Sequence, residues 1–225
     1  AFPSSLFTCR PFNKIFCNSV VAQSGLVHVA KSIHLFKGRN LTNEQILQKV
    51  SLPVFVKPPE GGSSLATTKV KTIEELQPAL AAVYEIEPQA MAEEFVKGRE
   101  FSIGVYRANN ILTALPVTEI LSTKEFFDYE AKYTPGVTNE VTPAVLEVSY
   151  ANLMAETAKK LYDLLNCRGI CRVDFILEEN TNKLYFLEIN TIPGQSENSI
   201  VPQQVRAMGK SLIEFYGELI EESLK

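Results

Sequence analysis

Two histidines and four cysteines are few for a chain of 225 residues, and they do not form a metal pattern. Cys167 and Cys171 flank Arg-Gly-Ile, but no matching Cys or His pair follows to complete a zinc site, and His28 and His34 are too scattered to supply one. The cysteines read instead as free thiols of a cytoplasmic protein. No apolar run approaches the roughly 18 to 20 residues that a membrane helix needs, and no signal-peptide pattern opens the chain. Excess base is also missing. The formal net charge is −4, which argues against a general nucleic-acid surface. There is no internal repeat, no low-complexity segment and no Walker A loop. The opening AFPSSLFTC has no initiator Met, so a fragment or processed product is expected. Against these absences, a hydrophobic content of 45% and a charged content of 21% are ordinary for a globular chain, enough for one large domain or two small ones.

Residues 1–10 read as a connecting arm. FNKIFCNSVVAQSG (12–25) has helical spacing and stops at Gly25, and VHVAKSIHLF (27–36) alternates like a strand. Thr42 and Thr72 open capping boxes, Thr-x-x-Gln and Thr-x-x-Glu, ahead of two helices, the second with Pro78 in its early part. LPVFVKP is a short strand with Lys57 at its exit. AMAEEFV, EFSIGVYRAN and ILTALPVTEI read as further strands. Residues 122–142 form a long polar and aromatic loop, and a loop of that length in a compact domain is usually functional. Apolar residues at 150, 153, 154, 158, 161 and 165 mark an amphipathic helix. ICRVDFIL and LYFLEIN then read as two strands joined by a polar turn, and a helix from about 210 to 224 closes the chain. The pattern predicts an α+β architecture with largely antiparallel sheets.

The strand LYFLEIN turns polar where it ends. Residues two apart share a strand face, so Glu188 and Asn190 point the same way, and Arg172 and Asp174 share a face on the preceding strand. Paired as a hairpin, the strands would gather all four on one face. Two carboxylates side by side need a positive partner. Either Arg172 satisfies them in a salt-bridge network, or Asp174, Glu188 and Asn190 bind a hard cation such as Mg²⁺, the reading preferred here. Upstream, Lys57 precedes Gly61, Gly62, Ser63 and Ser64, a loop whose amides and hydroxyls suit a phosphate.

LPVFVKPPEGGSS, FFDYEAKY, GICRVDF and FLEINTIPGQSENSIVP, in this order, resemble the ATP-grasp portion of bacterial D-alanine–D-alanine ligases from about residue 11 to the C-terminus. The resemblance implies an ATP-grasp fold of two lobes, 11–97 and 98–225, the second carrying the metal and substrate site. It implies a cytoplasmic, ATP-dependent carboxylate–amine ligase of peptidoglycan synthesis that binds ATP, D-alanine and Mg²⁺ or Mn²⁺. It calls for no nucleic acid and no membrane, and allows a homodimer of the full-length protein. Asp174, Glu188 and Asn190 would hold the metal. Lys14, Lys57 and Ser64 would contact phosphates, Glu93 and Val96 the adenine, and Glu100 the ribose. Arg172 would stabilise charge on the acyl phosphate and tetrahedral oxygens. Ser63, Lys132 and Tyr133 match the loop that closes over substrate, so 122–142 is expected to act as a lid. Gly194 and Ser199 match contacts around the D-alanines.

The family's phosphate loop ends Gly-Ser-Ser-Val-Gly, whereas this chain has Leu65 and Ala66 there, and Glu60 lies one position early. The family's N-terminal domain, with a Glu for the first D-alanine's amine, has no counterpart in the sequence, so the 225 residues are expected to bind ATP and Mg²⁺ but to form little dipeptide. The alternatives are a D-alanine–D-lactate ligase, which Tyr133 disfavours, another carboxylate–amine ligase, and a non-catalytic ATP-binding module, which Arg172 disfavours. A kinase would leave DYEAKY unexplained.

Overall fold

A computed structural model describes residues 13–39, 41–60, 66–122 and 138–225. Its strands form two sheets. The larger has seven strands in the order β1–β11–β10–β6–β8–β9, with β7 also paired to β6; the smaller has the order β2–β5–β3–β4. In chain order the elements are α1 (Lys14–Ser24), β1 (His28–Val29), β2 (Ser32–Phe36), α2 (Asn43–Leu47), β3 (Val54–Lys57), β4 (Thr68–Val70), a 3₁₀ turn (Ile73–Glu75), α3 (Leu76–Tyr84), β5 (Gln89–Glu94), β6 (Gly98–Ala108), β7 (Ile111–Ala114), β8 (Thr118–Ser122), β9 (Thr138–Val141), α4 (Val148–Leu164), β10 (Ile170–Glu178), β11 (Leu184–Asn190), α5 (Ile200–Ala207) and α6 (Leu212–Ser223). All pairings are antiparallel except that of β1 with β11.

Local chemistry explains the helix ends. The Asn13 side chain accepts from the amides of Ile15 and Phe16 and so starts α1, while Gly25, at φ +66°, ends it in the left-handed region that glycine enters at little cost. Thr42 and Gln45 close the expected capping box on α2. Glu75 accepts from the Thr72 amide, and Pro78 falls in the first turn of α3, where a missing N–H breaks no helical bond.

Several segments differ from the sequence reading. Residues 27–36 are two strands in different sheets, because the chain crosses at Ala30–Lys31 from the large sheet to the small one. As a consequence residues 14–29, grouped by sequence with the first lobe, pack on the large sheet, and the small sheet is built from residues 32–94. The strand over 111–120 is split at Leu115–Val117, since Pro116 cannot donate to a ladder. Part of the 122–142 loop, Thr138–Val141, pairs with β8, and α5 was not anticipated. Ser63, Ser64, Lys132, Tyr133 and most of the proposed lid lie outside the described residues.

One face of the large sheet, bearing Phe101, Ile103, Val105, Val173 and Phe175, is covered by Cys17 and Val21 of α1 and by Met154, Ala158 and Leu161 of α4. Full burial of each such aliphatic side chain stabilises by about 1.5–3 kcal/mol. The opposite face carries α5 and α6 through Val201, Val205 and Phe215. The small sheet packs Val54, Val56, Val70 and Ala92 against Ile46 of α2 and Leu76, Leu80 and Val83 of α3. Cys17, Cys167 and Cys171 are free thiols, and among the described residues no helix is long and apolar enough to cross a membrane.

The β10–β11 turn is tied down by Glu178, whose carboxylate accepts from the amides of Asn180 and Thr181 and from both their side chains. The Thr181 hydroxyl is the main cause that lowers its pKa from 4.5 to about 2. A depressed carboxylate contributes stability that is complete above its unfolded pKa and lost as pH falls through its folded one. The turn should therefore lose its support between about pH 4.5 and pH 2. Denaturant titrations of wild type and Glu178→Gln should diverge at pH 6 and converge toward pH 2; a constant difference would show that the carboxylate's charge is irrelevant.

Candidate active site

β10 and β11 pair with Arg172 opposite Asn190, Val173 opposite Ile189 and Asp174 opposite Glu188. Past this point the register shifts, and Phe175 faces Phe186. This irregularity sets the geometry of the site. Leu184 and Phe186 are buried in the core, so strict alternation would send Glu188 and Asn190 into it as well. The additional residue in β11 resets the parity. Ile189 is buried instead, and Glu188 and Asn190 stand on the other face, opposite Asp174 and Arg172.

On that face Asp174 is only 3% exposed. A buried carboxylate needs partners, and it has three donors: Nε of Arg172 at 2.8 Å and Oγ of Ser102 at 2.6 Å on Oδ1, and Nη2 of Arg172 at 2.7 Å on Oδ2. The ion pair with Arg172 that the sequence offered as an alternative to a cation site is thus formed. A carboxylate offers about four acceptor positions, so one remains on Oδ2. The adjacent Asp174 charge raises the pKa of the Arg172 guanidinium, against the effect of burial, and Glu188 and Glu100 raise it further. The guanidinium is therefore a permanent cation among carboxylates. Glu100 and Ser102 lie on β6 at alternate positions, opposite Ile176 and Asp174, and so share the face.

The donors Asp174, Glu188 and Asn190 fit a hard divalent cation, with two carboxylates and an amide oxygen offered from one ladder. Among the described residues no group of three His, Cys, Asp or Glu side chains is placed to hold a metal. The Asn190 carbonyl oxygen is already oriented, accepting from the Ile192 amide at 3.0 Å.

The small sheet turns Lys57 and Glu93 away from its core, and Lys57 Nζ lies 2.6 Å from Glu93 Oε1. Glu93 is buried, not the exposed acidic edge that a Glu-Glu pair commonly forms. Its other oxygen accepts from Asn18 Nδ2 of α1 at 3.0 Å. One turn earlier on α1, Lys14 reaches to 3.7 Å from Glu188, and its amide donates to Pro59 at the start of the Gly/Ser loop. Val96 lies in the short connection between the two sheets, beside Phe95, whose ring sits under Lys69 Nζ at 3.6 Å. Ala66, where the resembling pattern has glycine, has φ +50°, a conformation glycine would adopt without strain.

Gly194 and Ser199 are brought together. A Cβ on Gly194 would lie 2.8 Å from Ser199 Oγ, and Ser199 precedes α5. α5 is fixed by a side chain that sequence reasoning missed. Gln204, fully buried, accepts from the Gly104 amide and donates to the Ser102 carbonyl and the Thr118 hydroxyl. It thereby fills the place where β6 changes partner from β8 to β7. Nothing near Gln204 in the sequence marks this role. Ser102 and Asn18 were within reach, since Ser102 stands two residues from Glu100 on a strand and Asn18 four from Lys14 on a helix.

Two sheets joined by a short connection, with an arginine–aspartate ladder on one and a lysine–glutamate pair on the other, constitute an ATP-grasp fold. The chain belongs to the family described as D-ala D-ala ligase C-terminus, which it matches over residues 21–221. It is 41% identical over 216 residues to a D-alanine–D-alanine ligase of Phocaeicola vulgatus, covering 96% of this chain and 66% of that protein. With a D-alanine–D-alanine ligase of Parabacteroides distasonis the identity is 39%, covering 98% and 66%. Among solved structures, the VanG D-Ala:D-Ser ligase of Enterococcus faecalis superposes with a TM-score of 0.86 at 28% identity, over 96% of this chain and 63% of that one. The D-alanine–D-alanine ligase of Bacillus anthracis gives 0.81 at 27%, over 97% and 69%. The chain spans about two thirds of the length of these curated relatives.

Gly104 permits the close approach of Gln204. A Cβ there would lie 2.7 Å from Leu115 Cδ1 and 2.9 Å from Gln204 Oε1. Gly104→Ala should destabilise by about 1–3 kcal/mol, as overpacking does. Denaturant unfolding measures this; an unchanged midpoint would mean that Gln204 does not brace α5.

Proposed function

We propose that the chain is the nucleotide- and metal-binding portion of an ATP-dependent D-alanine–D-alanine ligase of peptidoglycan synthesis. The supporting observation is the ladder that sets Asp174 opposite Glu188 and Arg172 opposite Asn190. Family membership agrees with it. In this reading ATP lies between the sheets, the first D-alanine carboxylate takes its γ-phosphoryl group, and the amine of the second displaces phosphate. A carboxylate is a poor electrophile, and phosphorylation gives it a leaving group.

The roles are those that the family resemblance implies. Asp174, Glu188 and Asn190 hold Mg²⁺ or Mn²⁺, which supplies charge neutralisation at the phosphates when bound. Arg172, oriented by its two bonds to Asp174, faces the developing negative charge on the acyl phosphate and tetrahedral oxygens. Lys57, Lys14 and Ser64 are the residues that contact phosphate oxygens. Glu93 and Val96 meet the adenine and Glu100 the ribose. Gly194, which lets Ser199 approach closely, and Ser199 would contact the D-alanines, with Ser63, Lys132 and Tyr133 in the closing loop that the family resemblance implies. A lid drawn from the part of 122–142 that precedes β9 would keep water from the acyl phosphate. An ATP-consuming reaction points to the cytoplasm.

Calorimetric titration with ATP and magnesium tests this reading. Wild type should bind, and Glu188→Gln should weaken magnesium-dependent binding by about tenfold or more, since even a residue behind the metal ligands is typically worth 10–100-fold. Failure of the wild type to bind ATP, or equal binding by Glu188→Gln, would overturn it.

A further inference from the structure

Helix α1 packs on the large sheet, yet one of its side chains ends on the small one. We propose that Asn18 is a specificity-determining positioning residue, which fixes the Glu93 carboxylate so that it accepts from the exocyclic amine of adenine. The inference rests on the assignment of Glu93 to the base and adds what makes that assignment selective.

Asn18 and Glu93 are each 5% exposed, and 75 positions separate them in the chain. Both carboxylate oxygens can only accept, so the amide nitrogen of Asn18 must be the atom facing Oε2, at 3.0 Å. Lys57 holds Oε1 at 2.6 Å. Each oxygen then has one donor, and the shorter side chain, Asn18, limits the orientation of the carboxylate. Acceptor capacity remains on both oxygens. A carboxylate held this way meets a 6-amino purine as acceptor to donor, and a 6-oxo purine as acceptor to acceptor, which is repulsive.

Lys57 alone would not give this selectivity. It is a flexible ammonium whose proposed task is at the phosphates, whereas Asn18 is a short side chain in the middle of a helix. Asn18 is also one turn from Lys14, whose Nζ lies 3.7 Å from Glu188 Oε2. The base reader on one sheet and a metal ligand on the other are thus both held relative to a single helix. That links recognition of the base to placement of the phosphates.

The test compares magnesium-dependent binding of ATP and of purine riboside triphosphate, which lacks the 6-amino group, by calorimetry. The proteins are wild type, Asn18→Ala, which helix propensity favours, and Asn18→Leu, which keeps the branching of the side chain without its donor. Wild type should prefer ATP. Both variants should lose about tenfold in ATP affinity, about 1.4 kcal/mol, and bind the analogue as wild type does, so that the preference collapses. Equal weakening of both nucleotides would reduce Asn18 to a structural residue, and undiminished preference in the variants would overturn the proposal outright. A wild type that binds the two nucleotides equally would instead remove Glu93 as the base reader, and the inference with it.

Discussion

The paired charges of Arg172 and Asp174 are the constraint around which the site is built. Asp174 is almost wholly removed from water, and an isolated carboxylate in that position would cost several kcal/mol. Three fixed donors offset this cost, two of them from one guanidinium. The arrangement is possible only because β10, β11 and β6 lie side by side with Ser102, Asp174 and Glu188 at one level. The buried pair contributes less to stability than to orientation. It keeps Arg172 charged and directed at the face where phosphoryl chemistry is proposed, while one acceptor position on Asp174 stays open.

The irregularity in β11 is equally necessary. A regular strand would satisfy the core or the site, not both, because residues 184, 186, 188 and 190 would share one face. The change of register lets Leu184, Phe186 and Ile189 enter the core while Glu188 and Asn190 leave it. Around this ladder the molecule adds supports from distant segments: Glu178 in the turn, Gln204 in the gap of the sheet, and α1 between the lobes. Each support is a polar side chain bonded to backbone or to a charged group.

The sequence disclosed the site more readily than its supports. Arg172 and Asp174, and Glu188 and Asn190, stand two apart on their strands, and period-two reasoning placed each pair together. That reasoning reached the right face for β11 without the register shift that makes it compatible with the core. Capping boxes at Thr42 and Thr72 were readable because they are local. The crossing at Ala30–Lys31 was not, since a strand that changes sheets alternates like one that does not. Gln204 is invisible to any local rule, because its partners lie about 100 residues away. Resemblance to the ligase family supplied the proposed roles of Glu93, Val96, Glu100, Gly194 and Ser199, which spacing alone would have left as strand and loop residues.

The central claim is that three oxygen donors on adjacent antiparallel strands converge on one divalent ion beside a fixed guanidinium. Anomalous diffraction from crystals grown with Mn²⁺ and a nonhydrolysable ATP analogue tests it most directly. The account predicts a manganese peak bounded by Asp174, Glu188 and Asn190, with Arg172 still bonded to Asp174. A peak held by other residues, or an analogue bound with no metal at this ladder, would contradict it.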